Sequence, residues 1–250
     1  MAKALITGGG SGIGAAIARR LADQGHHVVV ADFNTETGSQ VALSVHGEFE
    51  QIDVANEAAW TDLAARHRDV DMLFLNAGTT TLPHTELVAD NPDSPPAPLS
   101  NVSLADYRRV SAVNIDGVVL GTMAFLPQMI ERGSGQIVAT ASVAGLVPFP
   151  QEPIYALTKH AVVGFVRSMG AAVEPYGVRI NAICPGFVQT NLLTDETLSV
   201  IRAFGLPVID AGRVAEAAEK VITSDTNGAL WFVNGESPIG VHVPKDPDLI

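Results

Sequence analysis

The run Ala4-Leu5-Ile6-Thr7-Gly8-Gly9-Gly10-Ser11-Gly12-Ile13-Gly14 decides the fold. Four residues of buried-strand character meet a glycine-rich turn, and Ile17, Ala18 and Leu21 then recur at helical spacing. The helix is expected to stop at Gly25, and His27 to Ala31 read as a second strand that ends in Asp32. A glycine turn between strand and helix lets backbone N–H groups and the positive helix end meet a pyrophosphate, with Gly8, Ser11, Gly12, Ile13 and Gly14 as the contacts. An acid about 20 residues further on, at the end of the second strand, binds adenosine ribose hydroxyls. Asp32 and its neighbour Phe33 hold that place. The glycines alone describe an ordinary strand–helix corner; strand, helix and acid in register describe a dinucleotide site.

Asp32 also bears on which dinucleotide. A 2′-phosphate beside this carboxylate meets like-charge repulsion, and neither Ser11 nor Phe33 offers a cation to offset it. NAD is therefore expected over NADP.

Further along, strands and helices alternate. A helix is expected over Thr35 to Val45, a strand over Glu48 to Ile52 ending in Asp53-Val54, and a helix over Ala55 to His67 with Trp60, Leu63 and Ala64 inward. Val70 to Leu75 is a nearly continuous apolar strand, of the kind buried on both faces, and leads to Asn76-Ala77-Gly78. Leu104 to Arg132 reads as one long helix with Asn114 inside it. An interior Asn needs a reason, either a surface position or a backbone distortion or water site. Gln136 to Thr140, Val178 to Cys184 and Gly228 to Val233 read as later strands, and Ala211 to Thr223 as a last helix. The pattern is α/β: a Rossmann-like, doubly wound parallel sheet of about seven strands with helices on both faces and the ligand at the carboxyl ends of the strands. No repeat or linker divides the chain, so residues 1–250 read as one domain. Within it, 79–103 is a proline-rich loop, and 191–210 has no obvious sheet role.

Composition narrows the function. Apolar residues at 47% against 17% charged supply a substantial core. The 15 Lys and Arg against 27 Asp and Glu give a charge of −12 with no basic cluster, which weighs against nucleic acid and anionic membrane as partners. One cysteine excludes an intrachain disulfide and any Cys-based zinc cluster, and the seven histidines lack metal-ligand spacing, so no metal is expected. No apolar run approaching a membrane span and no signal-peptide layout is read, and the expectation is a soluble, cytoplasmic protein. His160 reads as a packing or surface residue, Cys184 as a small buried hydrophobe, and Lys3 and Lys220 show no partner pattern.

The chemistry-bearing stretch is Pro150 to Val163, PQEPIYALTKHAVV. Pro153 suits a first helical position, and Ile154, Leu157, Ala161, Val162, Phe165 and Val166 continue at helical spacing. Tyr155 and Lys159 then share one helix face as i and i+4. A cation about 4 Å from the phenol offers more than the helix end does, so Lys159 is expected to be the main lever making Tyr155 acidic.

Taken together these residues resemble the short-chain dehydrogenase/reductase family in its single-domain form, over nearly the whole chain. The motifs are Thr7-Gly8-x-x-x-Gly12-Ile13-Gly14, Asn76-Ala77-Gly78, Ser142 and Tyr155 thirteen residues apart, Lys159, and Pro185-Gly186 followed by Thr190. The resemblance implies a catalytic set of Asn114, Ser142, Tyr155 and Lys159. Tyr155 would be the general acid or base and Ser142 would hold the substrate oxygen. Lys159 would lower the phenol pKa and bond the nicotinamide ribose, and Asn114 would keep a relay water. It also implies cofactor contacts from Asp53, Val54, Asn76, Ala77, Gly78, Pro185, Gly186, Val188 and Thr190. Substrate contacts would come from Ser142, Ala144, Phe149, Gln151, Phe187 and Leu192, with 191–210 as an apolar lid. Relatives pair through the helices placed here at 104–132 and 153–173, so a homodimer or homotetramer is implied. Two departures stand out: the long loop after Gly78, and Asn234-Gly235-Glu236 where Gly-Gly is common.

The function expected is NAD-dependent interconversion of a secondary alcohol and a ketone, with a small, apolar or aromatic substrate. The rival readings are a sugar-nucleotide epimerase or dehydratase, whose glycine turn would put Gly where Ser11 stands, and an NAD-binding sensor without turnover.

Overall fold

The glycine unit forms as its sequence dictates. In a computed structural model describing residues 1–81 and 102–244, β1 (Lys3–Thr7), α1 (Gly12–Asp23) and β2 (His27–Asp32) follow one another, with β1 and β2 parallel and Lys3 opposite His27. α2 (Thr35–Ser44), β3 (Glu48–Gln51), α3 (Glu57–Arg66) and β4 (Met72–Leu75) continue the alternation. Asn34 and Asn56 cap α2 and α3 by accepting from backbone N–H groups of the first turn. After 102 come α4 (Leu104–Ser111), α5 (Gly117–Arg132), β5 (Gly135–Thr140), α6 (Pro153–Val173) and β6 (Val178–Pro185). β7 (Phe187–Gln189), α7 (Asp195–Ala203), β8 (Val208–Asp210), α8 (Ala211–Thr223), β9 (Leu230–Val233) and β10 (Gly240–His242) complete the order.

The main sheet runs β3-β2-β1-β4-β5-β6-β9-β10. It is parallel except for β10, which pairs antiparallel with β9. Eight strands thus stand where about seven were expected, because the chain beyond Val233 turns at Gly235 (φ +54) and returns along β9. Asn234 is accommodated at the position noted as a departure: its Oδ1 lies where a Cβ on residue 186 would be, 2.3 Å away, and Gly186 has none. Segment 191–210 does have a sheet role, since β8 pairs parallel with β7 in a separate two-stranded sheet.

Both faces of the main sheet are covered. Ala4 and Ile6 of β1 face Ile17 and Leu21 of α1 and Val214 and Val221 of α8, whereas Leu5 faces the side holding Trp60, Phe125 and Val162. That alternation explains the continuous apolar strands: every position is inside, each large side chain contributing about 1.5–3 kcal/mol. Trp60 of α3 meets Phe125 of α5 edge-on at 6.3 Å. Gly121 lets α5 approach, since a Cβ there would stand 2.5 Å from Leu75 and 2.7 Å from Trp60.

The stretch Leu104 to Arg132 is helical throughout but not uniformly so. Ala112–Asp116 forms a π turn between α4 and α5, and Asn114 at its centre is fully buried. Of the two explanations for an interior Asn, the backbone distortion holds. This combined helix is also the one segment, among the described residues, long and apolar enough to cross a membrane by length and composition. Here Val110, Val118, Phe125 and Met129 are inside the protein. The expectation that no apolar run approaches such a length is corrected accordingly. The greater part of the loop at 79–103, from 82 to 101, lies outside the described residues.

Three smaller expectations are settled. Leu157 is exposed on the outer face of α6 rather than packed, and His160 is exposed, its Nδ1 2.9 Å from the Ala156 carbonyl oxygen. Lys3 pairs with Asp69 at 3.0 Å and Lys220 with Glu216 at 3.1 Å, so both have partners that their sequence neighbourhood did not reveal.

Candidate active site

The carboxyl ends of β1, β2, β4, β5 and β6 bring the predicted residues to one edge. At β1, Gly8 (φ +62) and Gly12 (φ +48) adopt left-handed conformations that favour glycine. A Cβ at Gly14 would stand 2.1 Å from the Gly8 carbonyl oxygen, and one at Gly12 3.0 Å from Thr190. Only glycine leaves this cradle open, and Thr190 borders it. Ser11 is extended and makes no side-chain cap, so the first-turn N–H groups of α1 keep their donors for a ligand.

Asp32 is pinned at the end of β2. Its Oδ2 accepts from Gly10 N at 2.8 Å and its Oδ1 from Asn34 N at 2.8 Å. Each oxygen retains a lone pair for a diol. Phe33 is exposed beside it, and Asp53 is exposed with Oδ1 accepting from Ala55 N at 3.0 Å. Val54 is buried, its carbonyl accepting from the Trp60 indole at 2.9 Å.

Asn76 has a different employment from the one expected. Its Nδ2 donates to Thr7 O at 3.1 Å and its Oδ1 accepts from the Thr140 hydroxyl at 3.0 Å, stitching the ends of β1, β4 and β5 together. The backbone N–H groups of Asn76 and Ala77 donate to the Thr7 hydroxyl. The side chain frames the cleft rather than reaching into it. Gly78 passes over Lys159: a Cβ there would be 3.6 Å from Nζ.

Ser142, Tyr155 and Lys159 converge. Ser142 follows β5 with its hydroxyl acting on the Tyr155 phenol, and its Oγ accepts from Ala144 N at 3.1 Å. Lys159 is buried, donates to Thr140 O at 2.8 Å, and stands 5.5 Å from the centre of the Tyr155 ring. Burial pushes the Tyr155 phenol up to about 12, the Ser142 hydroxyl opposing this and the Glu152 charge adding to it. Burial likewise pushes Lys159 down to about 8, its charge being favoured by the Cys184 thiol, itself pushed up to about 12 by burial. Lys159 is therefore not the lever on Tyr155 in the protein alone. Its ammonium faces the ring and the Thr140 carbonyl, and desolvation outweighs it.

Asn114 is buried in the π turn, and its amide is committed to protein groups. Oδ1 accepts from Thr79 N at 2.8 Å, and Nδ2 donates to Thr79 O at 2.9 Å and to the Thr158 hydroxyl at 3.0 Å. The Thr158 hydroxyl donates to Tyr155 O at 2.8 Å. A relay water cannot also be held by the Nδ2 protons.

Of the expected substrate contacts, Phe149 and Phe187 face each other at 6.3 Å. Ala144 is buried, Leu192 is half-buried with its N–H donating to the Thr190 hydroxyl at 3.3 Å, and Gln151 is exposed. In the expected lid, Leu198 and Ile201 are buried whereas Phe204 is exposed. Pro185 is buried, and Gly186 N donates to Val233 O at 2.9 Å; Val188 is buried in the same strand as Phe187. Among the described residues no cluster of His, Cys, Asp and Glu could hold a metal.

The sequence reading missed Glu152, Thr158, Thr81 and Arg109. Glu152 is fully buried and accepts from Thr81 N at 2.8 Å and from the Thr81 hydroxyl at 2.6 Å. An acidic residue set among Val147-Pro148-Phe149-Pro150 and Pro153-Ile154 was the available signal.

This Rossmann-like sheet, with a glycine cradle, an acid at the end of β2 and a Ser–Tyr–Lys convergence, is the framework of a nucleotide-dependent oxidoreductase. The chain belongs to the short chain dehydrogenase family, whose pattern matches residues 2–199. Short-chain dehydrogenase reductase 3a of Arabidopsis thaliana is 33% identical, covering 94% of this chain and 91% of that protein. The NAD(+)-named 15-hydroxyprostaglandin dehydrogenase of Rattus norvegicus is 29% identical, covering 98% of this chain and 94% of its own. Among solved structures, a 3-ketoacyl-(acyl-carrier-protein) reductase from Brucella melitensis complexed with NADH superimposes with a TM-score of 0.82 at 27% identity, covering 94% and 97% of the two chains.

Proposed function

We propose that the chain is an NAD-dependent oxidoreductase interconverting a secondary alcohol and a ketone of apolar or aromatic character. The observation that carries this reading is the grouping of Ser142, Tyr155 and Lys159 beyond the end of β5, with the Ser142 hydroxyl favouring the phenolate of Tyr155 and the Lys159 ammonium 5.5 Å from the centre of its ring. A bound nicotinamide supplies the partner for hydride exchange. The chain's residues do the rest. Gly8, Gly12 and the open first turn of α1 receive the pyrophosphate, and Asp32 receives the adenosine ribose while its charge disfavours a 2′-phosphate. Asp53 and Val54 border the adenine, and Val188 and Thr190 the carboxamide and pyrophosphate. Lys159 holds the second ribose. Ser142 holds the substrate oxygen; Tyr155 takes its proton in oxidation and returns it in reduction. With its amide engaged, Asn114 serves by fixing Thr79 and Thr158.

The relatives support the reaction class: the rat protein is named as an NAD(+) dehydrogenase of a hydroxyl-bearing prostaglandin. The Phe149–Phe187 pair supports an apolar substrate. The acidic balance of the chain weighs against a nucleic-acid partner. Assembly as a homodimer or homotetramer belongs to the same proposal, supported by exposed Met123 on α5 and Leu157 on α6, as does residence in a reducing compartment such as the cytoplasm. Light scattering of the purified chain tests the assembly.

For the reaction, purified protein is incubated with NAD and a panel of aliphatic and aromatic secondary alcohols. Growth of NADH absorbance on at least one of them supports the enzyme. Tight NAD binding with no turnover on any favours the sensor.

A further inference from the structure

The three residues that follow Gly78 over the site are bolted down at three points. Asn114 takes both backbone groups of Thr79. Arg109 of α4 donates to the Thr79 hydroxyl at 3.0 Å and to Thr80 O at 3.0 Å. Glu152 takes the N–H and the hydroxyl of Thr81 on one oxygen. The third bolt is the unusual one. A carboxylate with no exposed surface is costly to bury, and hydrophobic or amide side chains would fill the place at less cost. Glu152 sits immediately before Pro153, where α6 begins, one turn ahead of Tyr155, and its own carbonyl accepts from Ala156 N at 2.9 Å. Whatever holds Glu152 also holds the turn that aims the phenol.

We propose that Glu152 is a positioning residue for Tyr155: its buried carboxylate ties Thr81 to the first turn of α6 and sets a fixed negative charge one turn from the phenol. The inference rests on Tyr155 being the acid–base group. The charge keeps the proton on the phenol, in the direction its neighbours show. Among the described residues, the groups acting on that phenol are Glu152 from α6 and the Ser142 hydroxyl from the end of β5, while Lys159 faces the ring and the Cys184 thiol of β6 acts on Lys159. Glu152 precedes and Lys159 follows Tyr155 along α6, and of the two only Glu152 acts on the phenol. The carboxylate makes Tyr155 a poorer base in the protein alone.

The test uses the full chain in four forms: wild type, Glu152→Gln, Glu152→Ala and Thr81→Val. Glu152→Gln keeps the size and one acceptor oxygen and removes the charge; Thr81→Val removes the hydroxyl bond and keeps the charge. Two readouts are taken. One is the pH profile of kcat/KM for oxidation of the best alcohol of the panel. The other is the near-ultraviolet phenolate titration, taken as the difference from a matching Tyr155→Phe background, which needs no turnover. In Glu152→Gln both move to lower pH by about one unit, a roughly tenfold gain at fixed pH on the rising limb, with the KM for NAD unchanged. Thr81→Val leaves the profile in place and raises the KM for alcohol. Glu152→Ala loses thermal stability as well. Superimposable wild-type and Glu152→Gln curves in both readouts overturn the proposal. A titration that shifts in a protein with no turnover upholds the role of Glu152 toward Tyr155 and refutes the dehydrogenase reading instead.

Discussion

Lys159 donates to the Thr140 carbonyl at 2.8 Å and holds its ammonium nitrogen 5.5 Å from the centre of the Tyr155 ring. The two side chains share a helix face, as i and i+4 spacing requires, yet the cation addresses the ring and the strand end rather than the phenolic oxygen. Burial then dominates both groups, raising the phenol to about 12 and lowering the ammonium to about 8. The pair by itself does not make Tyr155 acidic.

That ordering fixes a pH dependence. Oxidation needs Tyr155 as base, and a phenol pushed upward is mostly protonated at neutral pH, so kcat/KM for alcohol oxidation should climb with pH by up to about tenfold per unit. Ketone reduction needs the protonated phenol and should stay flat or fall over the same range. Parallel climbing of both directions in steady-state assays would contradict the assignment.

Asp32 should decide the cofactor. In Asp32→Ala the carboxylate held by Gly10 and Asn34 is gone, and with it the repulsion of a 2′-phosphate. The ratio of kcat/KM for NAD to that for NADP is expected to drop about tenfold or more, corresponding to ~1.4 kcal/mol or above. A wild type that prefers NADP would refute the role given to this acid.

The glycine cradle makes a steric prediction with its own control. Gly14→Ala puts a methyl 2.1 Å from the Gly8 carbonyl and should abolish NAD binding in calorimetric titration. Gly164→Ala in α6 meets nothing within 4 Å and should raise stability by about 0.5–1 kcal/mol. Equal NAD affinity in Gly14→Ala and wild type would show that the turn is not the pyrophosphate seat.

Local patterns were the legible part of this chain. The turn at Gly8 to Gly14, the acid ending β2 and the thirteen-residue step from Ser142 to Tyr155 lie within single strand–helix units, where spacing alone sets geometry. The alternation of apolar strands and amphipathic helices gave the main sheet apart from β10, and left β7 and β8 unread. Those are three-residue strands, and three residues carry no period. The π turn was legible only as an Asn in an awkward place. What stayed hidden depends on burial and on contacts far apart in sequence: Glu152 with Thr81, Asn76 with Thr140, and the upward push on Tyr155.

Asn114 illustrates the stabilising side of the site. Asn114→Ala leaves the half-buried Thr79 N–H and carbonyl without the amide that pairs them, at about 1–3 kcal/mol for each group left unpaired, while the Thr158 hydroxyl keeps its bond to the Tyr155 carbonyl. The melting temperature should fall by about 5 °C or more in differential scanning calorimetry, with kcat falling alongside. An unchanged Tm would mean that the buried amide is not what holds Thr79 over the site.

The most direct measurement follows a secondary alcohol deuterated at the carbinol carbon, with NAD, in wild type and Tyr155→Phe at one pH. The account predicts that the label appears in the reduced cofactor, and that Tyr155→Phe lowers kcat/KM by roughly 10²–10⁴-fold with NAD affinity retained. Turnover in Tyr155→Phe equal to wild type, or deuterium released to water instead of carried to the nicotinamide, would contradict it.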